Sequence, residues 1–78
     1  MTLEELKGRV ETGLQSGSPL LELRESLVAF AQDGGSQAEG REVLCLLREA
    51  ATSEPEEDRI LELLDFVEGF TRPELRIW

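Results

Sequence analysis

The chain has 78 residues, of which 17 are Asp or Glu and 8 are Lys or Arg, so its formal net charge at pH 7 is −9. A chain of this length forms at most one domain and buries only about 60% of the surface that its unfolded form exposes, which limits its stability. The acidic balance argues against a nucleic-acid partner, because phosphate backbones bind basic surfaces, and it favours a basic protein as the partner.

The residue types that the chain lacks exclude several kinds of functional site. The chain has no histidine and one cysteine, Cys45. It therefore lacks the residues for a disulfide framework, a cysteine–histidine metal site or histidine acid–base catalysis. We expect no cofactor, no metal and no enzymatic activity. The opening stretch "MTLEELKGRVETG" is charged throughout, unlike a signal peptide, and no segment approaches the roughly 20 apolar residues of a membrane span. We expect a soluble cytoplasmic protein without a membrane partner.

Apolar residues recur at helical spacing in four segments, and strict two-residue alternation is nearly absent. The stripes begin at Leu3, Leu20, Val43 and Ile60. They predict helices over residues 2–16, 19–32, 36–52 and 54–69. Because the connections are short, consecutive helices should run antiparallel. The sequence therefore predicts a single all-helical domain over residues 1–78, a compact antiparallel four-helix bundle made of two helical hairpins.

Start and stop signals support these boundaries. A hydroxyl residue followed three positions later by glutamate can form a capping box, which satisfies two free backbone N–H groups at a helix start. Four such pairs are present: Thr2 with Glu5, Ser36 with Glu39, Ser53 with Glu56, and Thr71 with Glu74. Glycines at 17, 34, 35 and 69 follow the predicted helices, where a left-handed residue is common.

The predicted core takes the inward positions of each stripe. It consists of Leu6, Val10, Leu23, Leu27, Phe30, Val43, Leu47, Ile60, Leu63, Leu64, Val67 and Phe70. Cys45, within "VLCLL", is expected to lie in the core as a small apolar residue and not to act as a nucleophile. Gly8, Gly13 and Gly40 each weaken a helix by about 1 kcal/mol relative to alanine, so we expect helices to cross closely at these positions.

The stretch "DGGSQAEG" at residues 33–40 resembles the phosphopantetheine attachment site of acyl and peptidyl carrier proteins. The resemblance implies a carrier modified at Ser36. The motif departs from that family, which places Asp or His directly before the serine and Leu directly after it, whereas here Gly35 precedes Ser36 and Gln37 follows it. The capping box with Glu39 explains the serine without a prosthetic group.

Acidic residues concentrate in the fourth helix. Residues 54–68 hold seven acids against Arg59 alone, a local net charge of −6. Asp58, Glu62 and Asp65 stand at i, i+4 and i+7 and should share one face, opposite the apolar stripe. The spacing of the acids does not fit a calcium loop, and exposed carboxylates lack the burial that tunes catalytic groups. Either the face is only solvated, or it binds a basic partner. The candidate binding residues on this helix are Glu54, Glu57, Asp58, Glu62 and Asp65.

The last stretch, "FTRPELRIW", is the least helical and most aromatic part of the chain. We expect Leu75, Ile77 and Trp78 to fold back as a lid on the bundle. The alternative is that Arg76 and Trp78 anchor a partner, since Arg and Trp often dominate binding energy.

Together these features predict a non-enzymatic, acidic protein–protein interaction module. Its most concrete form is an immunity- or antitoxin-type inhibitor of a basic partner, an analogy of size, fold class and charge. Two alternatives stay open: a carrier modified at Ser36, and a structural homodimer in which the leucine-rich hairpins pair across a two-fold axis.

Overall fold

The computed structural model describes residues 1–78 and confirms the all-helical architecture. Its helices are α1 (Leu3–Ser16), α2 (Leu20–Gln32), α3 (Gln37–Ala50) and α4 (Glu54–Glu68), followed by a short 3₁₀ helix at Pro73–Leu75. The structure contains no strand. None of the helices combines the length and the apolar character that crossing a membrane requires.

The four helices form two antiparallel hairpins, α1 with α2 and α3 with α4. In the second hairpin, Arg41 pairs with Glu68, and Arg48 Nε lies 3.9 Å from Glu57 Oε1. Residue numbers therefore rise along α3 as they fall along α4. The Gln37 side-chain amide, at the start of α3, also donates to the Val67 carbonyl oxygen at 2.7 Å. These long-range bonds fix the register of α3 against α4.

One apolar core joins all four helices. Its thirteen buried side chains are Leu6, Val10, Leu14, Leu23, Leu27, Phe30, Val43, Leu44, Leu47, Ile60, Leu63, Phe66 and Val67. Ten of the twelve predicted core residues are among them. Leu64 is only half-buried, and Phe70 is exposed, so the prediction was wrong for Phe70. Leu14, Leu44 and Phe66 were missed.

The error at Phe70 has a local cause at the end of α4. Gly69 adopts a left-handed conformation, with φ of 84°. The N–H groups of Gly69 and Phe70 both donate to the Asp65 carbonyl oxygen, at 3.0 and 2.9 Å. This closing turn redirects the chain before Phe70 can continue the apolar stripe. Phe66, one turn earlier, is the aromatic residue that α4 buries instead.

Cys45 is exposed, so its predicted place in the core was wrong. Leu44 takes the buried position, one residue earlier and therefore about 100° around the helix. Cys45 is exposed on α3, four residues after Arg41 and three before Arg48, whose side chains extend toward α4.

The predicted capping boxes form only in part. Ser36 makes a complete one: its hydroxyl accepts from the Glu39 N–H at 3.2 Å, and Glu39 Oε1 accepts from the Ser36 N–H at 3.0 Å. The Thr2 hydroxyl accepts from the Glu5 N–H at 3.1 Å. Ser53 caps α4 without a side-chain hydrogen bond, and Thr71 does not cap a helix, because the 3₁₀ helix begins at Pro73 after Arg72. The prediction was wrong at those two positions.

The C-terminal segment folds back as a lid, as predicted. Leu75, Ile77 and Trp78 pack against the core. The Trp78 indole N–H donates to the Gly35 carbonyl oxygen at 3.1 Å, and Arg24 Nε donates to the Leu75 carbonyl oxygen at 2.9 Å. These two bonds attach the lid to the α2–α3 connection and to α2.

The three glycines inside helices have different surroundings. A Cβ at Gly13 would overlap Leu23 Cδ2, which confirms the close crossing of α1 and α2. Gly40 does allow a close approach, but the neighbour is the Trp78 ring of the lid, with Cη2 2.8 Å from where a Cβ would stand. Gly8 has no neighbour within 4 Å of that position, so the expectation of a close crossing was wrong there.

Alanine substitutions at Gly40 and Gly8 form a matched test of the lid. Both should gain about 1 kcal/mol of helix propensity. At Gly8 this gain should appear in full as greater stability. At Gly40 the new methyl group must displace the Trp78 ring, which should cancel the gain in stability. The fluorescence emission of Trp78, the only tryptophan of the chain, should also shift to longer wavelength. Chemical denaturation followed by fluorescence measures both, and equal stabilisation with unchanged emission would contradict the lid contact.

The capping box at Ser36 predicts a pH effect. The hydrogen bond from the Ser36 N–H, and then that from the Ser36 side chain, lower the pKa of Glu39. Because the folded-state pKa lies below the unfolded value, this contribution to stability is present above the unfolded pKa and is lost as pH falls through the folded one. Ser36→Ala should cost about 1 kcal/mol at neutral pH. NMR titration should show the Glu39 pKa rising only in part in Ser36→Ala, because the backbone N–H at residue 36 still donates to Glu39, and an unchanged pKa would show that the Ser36 side chain does not lower it.

Candidate protein-binding site

Helix α4 has two faces of opposite character. Ile60, Leu63 and Val67 are buried, and on the other side Asp58, Glu62 and Asp65 are exposed, as the spacing predicts. We call these three carboxylates the acidic ridge. Since a helix rises about 1.5 Å per residue, the ridge is about 10 Å long. Helix α4 thus holds three carboxylates in a row on a rigid, core-anchored element.

The other acids of α4 have structural roles that the ridge lacks. Glu68 pairs with Arg41, and Glu57 lies near Arg48, so both contribute to the α3–α4 contact. Glu54, Glu56 and Glu57 belong to the first turn, where negative charge is favoured by the helix dipole. None of the ion pairs in the structure includes a ridge residue.

The predicted binding set is therefore divided by the structure. The ridge residues share one exposed face, and Glu54 is exposed at the start of the same helix. Glu57 is half-buried and turned toward α3. The five acids predicted to bind a partner, Glu54, Glu57, Asp58, Glu62 and Asp65, therefore do not form one continuous exposed surface.

Arg76 and Trp78, the two candidates in the lid, have separate environments. Arg76 is exposed beside the C-terminal end of α4, with its Nε 3.6 Å from where a Cβ of Gly69 would stand. Trp78 is half-buried against Gly40 and hydrogen-bonded to Gly35. Arg76 lies near the end of the ridge, whereas Trp78 packs against the bundle as part of the lid.

Phe70 is the surface feature that sequence reasoning missed. Its exposed fraction is 78%, the largest of the three exposed large apolar residues, the others being Leu21 and Leu46. Its backbone N–H is bonded to the carbonyl oxygen of Asp65, the last ridge residue. The signal in the sequence was Gly69, which already ended the predicted fourth helix at residue 69 and so placed Phe70 outside it, although the core prediction still included Phe70.

Beyond α4 and the lid, the remaining candidate features are a surface cleft and the Ser36 hydroxyl. Between α1 and α2 lies an open cleft of about 590 Å³ with a single apolar lining residue, Leu23. Its polar lining includes Glu5, Arg9 and Glu22. No group of three or more Cys, Asp or Glu side chains is placed to hold a metal ion. Ser36 is exposed at the start of α3, with its hydroxyl engaged in the capping box.

Comparison with known proteins adds no assignment: no protein-family model, no curated protein and no solved structure matches this chain significantly.

Proposed function

We propose that this chain is a non-enzymatic protein-interaction module that binds a basic partner protein through the acidic ridge, with Glu54 and Arg76 at the two ends of the site. Its most concrete form is an immunity- or antitoxin-type inhibitor in the cytoplasm, which would cover a basic site on a toxin or nuclease. This form is an analogy of size, fold class and charge.

The observation that supports the proposal is that Asp58, Glu62 and Asp65 are exposed and have no cationic partner within the chain. Like charges at i, i+4 or i, i+3 destabilise a helix by about 0.2–0.5 kcal/mol per pair. The ridge therefore opposes the stability of the helix that carries it. Surfaces that lower stability are typical of functional sites.

The ridge would act first on the rate of encounter. An acidic surface attracts a basic partner over a distance of about 10 Å at moderate ionic strength and can raise association rates by 10-fold to roughly 1,000-fold. On contact, neighbouring carboxylates accept charge-assisted hydrogen bonds, which are strongest from the forked guanidinium of arginine. The same charge disfavours acidic partners, so it contributes selectivity as well as speed.

The two alternative functions stay predictions with less support. The capping box accounts for Ser36 structurally, and incubation with a phosphopantetheinyl transferase followed by intact-mass measurement tests the carrier function. The exposed Leu21, Leu46 and Phe70 are the apolar residues available for a homodimer, and sedimentation equilibrium tests that function.

A charge-matched pair of triple variants tests the ridge. The ridge variant is Asp58→Asn, Glu62→Gln and Asp65→Asn. The control variant is Glu11→Gln, Glu42→Gln and Glu49→Gln, which removes the same charge from exposed, unpaired positions on α1 and α3. A basic protein captured by the natural chain from its own cells at low salt should associate at least about tenfold more slowly with the ridge variant, because steering is lost. The control variant should stay close to the natural rate.

Stopped-flow association at several ionic strengths measures this difference. The rate for the natural chain should fall as salt rises, and the rate for the ridge variant should depend on salt less steeply. Thermal unfolding provides the structural check, since the ridge variant should be at least as stable as the natural chain. The proposal is wrong if no basic protein is captured, or if both variants slow the association equally.

A further inference from the structure

Phe70 is an aromatic side chain held in solvent by a well-defined turn. It is 78% exposed, and its N–H and that of Gly69 are both bonded to the Asp65 carbonyl oxygen. The left-handed Gly69 fixes the direction in which the chain leaves α4. Covering such a large apolar side chain with a partner removes it from water, which contributes favourable binding free energy. Aromatic residues are also enriched among the residues that contribute most to the binding energy of interfaces.

The position of Phe70 relative to the acidic ridge indicates what covers it. Asp65 ends the ridge, and its backbone carbonyl oxygen accepts the N–H groups of Gly69 and Phe70, so the aromatic residue follows the ridge five residues later, just past the end of α4. The order along α4 is three carboxylates at helical spacing and then one exposed ring. A partner that covers the ring therefore lies close to the Asp65 end of the ridge.

We infer that the acidic ridge and Phe70 form one docking surface for an amphipathic basic helix of the partner protein. The inference rests on the proposed function and specifies the partner. A partner helix that lies along α4 has the same residue spacing as α4. Lys or Arg at positions i, i+4 and i+7 of the partner helix therefore meet the three carboxylates of the ridge. An apolar residue one turn later, near i+11, covers Phe70, as in other complexes that bind a helix through one of its faces.

Charge at the far end of the surface determines where the basic part of the partner helix stops. Arg72 and Arg76 are both exposed just beyond Phe70, and Arg76 lies beside Gly69. They repel basic residues that extend past the ring. The basic part of the partner therefore ends at Phe70, and its apolar residue lies toward the lid. A second copy of this chain whose α4 lay along this α4 would bring a ridge of the same sign against Asp58, Glu62 and Asp65, which disfavours it as the occupant.

Two synthetic peptides of about 18 residues, long enough to form helix on an alanine-rich background, are the probes. The patterned peptide carries Lys at i, i+4 and i+7 and Leu at i+11. The displaced peptide has the same composition, with the Leu moved to the opposite face. Fluorescence anisotropy measures the binding of each to the natural chain, to Phe70→Ala, and to the ridge and control variants defined above. Circular dichroism confirms that each variant is folded.

The natural chain should bind the patterned peptide about tenfold more tightly than the displaced one, a difference typical of a single well-buried apolar contact. Phe70→Ala should remove this preference and leave weak, salt-sensitive binding of both peptides. The ridge variant should weaken both, and the control variant should behave as the natural chain.

The outcomes separate the two proposals. If Phe70→Ala keeps the preference, or the natural chain shows none, the inference about Phe70 is wrong, while loss of binding in the ridge variant still supports the proposed function. If the ridge variant binds both peptides as well as the natural chain does, the ridge is not the binding surface and both proposals are wrong. If the natural chain sediments as a dimer and Phe70→Ala as a monomer, a second copy covers the ring and the inference is wrong.

Discussion

The thirteen side chains that meet at the centre of the four helices are all apolar, and no polar or charged side chain is buried among them. Burying a charge without a partner costs several kcal/mol, which a domain of this size does not tolerate. Every charge of the chain therefore lies at or near the surface. With 17 acidic residues and 8 basic ones, at least nine carboxylates have no basic side chain of their own. Where they are placed determines what the surface can do.

Much of the acidic charge is placed where a helix tolerates it. Glutamates occupy the first turn of all four α-helices, near the positive end of the helix dipole. Arg41 pairs with Glu68 on α4, and Arg48 pairs with Glu57, which is also one of the first-turn glutamates. The last turn of α4 contains no basic residue, and the lid brings Arg76 to that end instead. The acidic ridge has neither kind of compensation, a condition shared by the scattered Glu11, Glu42 and Glu49 on α1 and α3; the ridge differs in placing three such carboxylates at successive turns on one face.

Periodicity was enough to predict the helices and most of the core, because these depend on which residues recur on one face, and the short connections predicted the antiparallel hairpins. The core predictions failed at two kinds of position. In one, a single residue changes the direction of the chain, and in the other, either of two adjacent residues could have faced the core. Gly69 turns Phe70 outward, and a rotation of one residue exchanges Leu44 for Cys45. The spacing of the acids predicted that the ridge is exposed. It did not predict that Glu57 pairs with Arg48 or that Glu68 pairs with Arg41. That pairing depends on the register of α3 against α4, which no local pattern contains.

Solubility alone is a sufficient reason for a net charge of −9, but it does not explain the arrangement. Charge that keeps a protein in solution acts through its total, so it can be spread over the surface, where repulsion within one helix is smallest. Here three carboxylates stand in a row on α4, where each repels the next. An exposed phenylalanine follows them, and exposed aromatic surface works against solubility. Under the proposed function, electrostatic steering by the ridge and the covering of Phe70 by a partner account for both features.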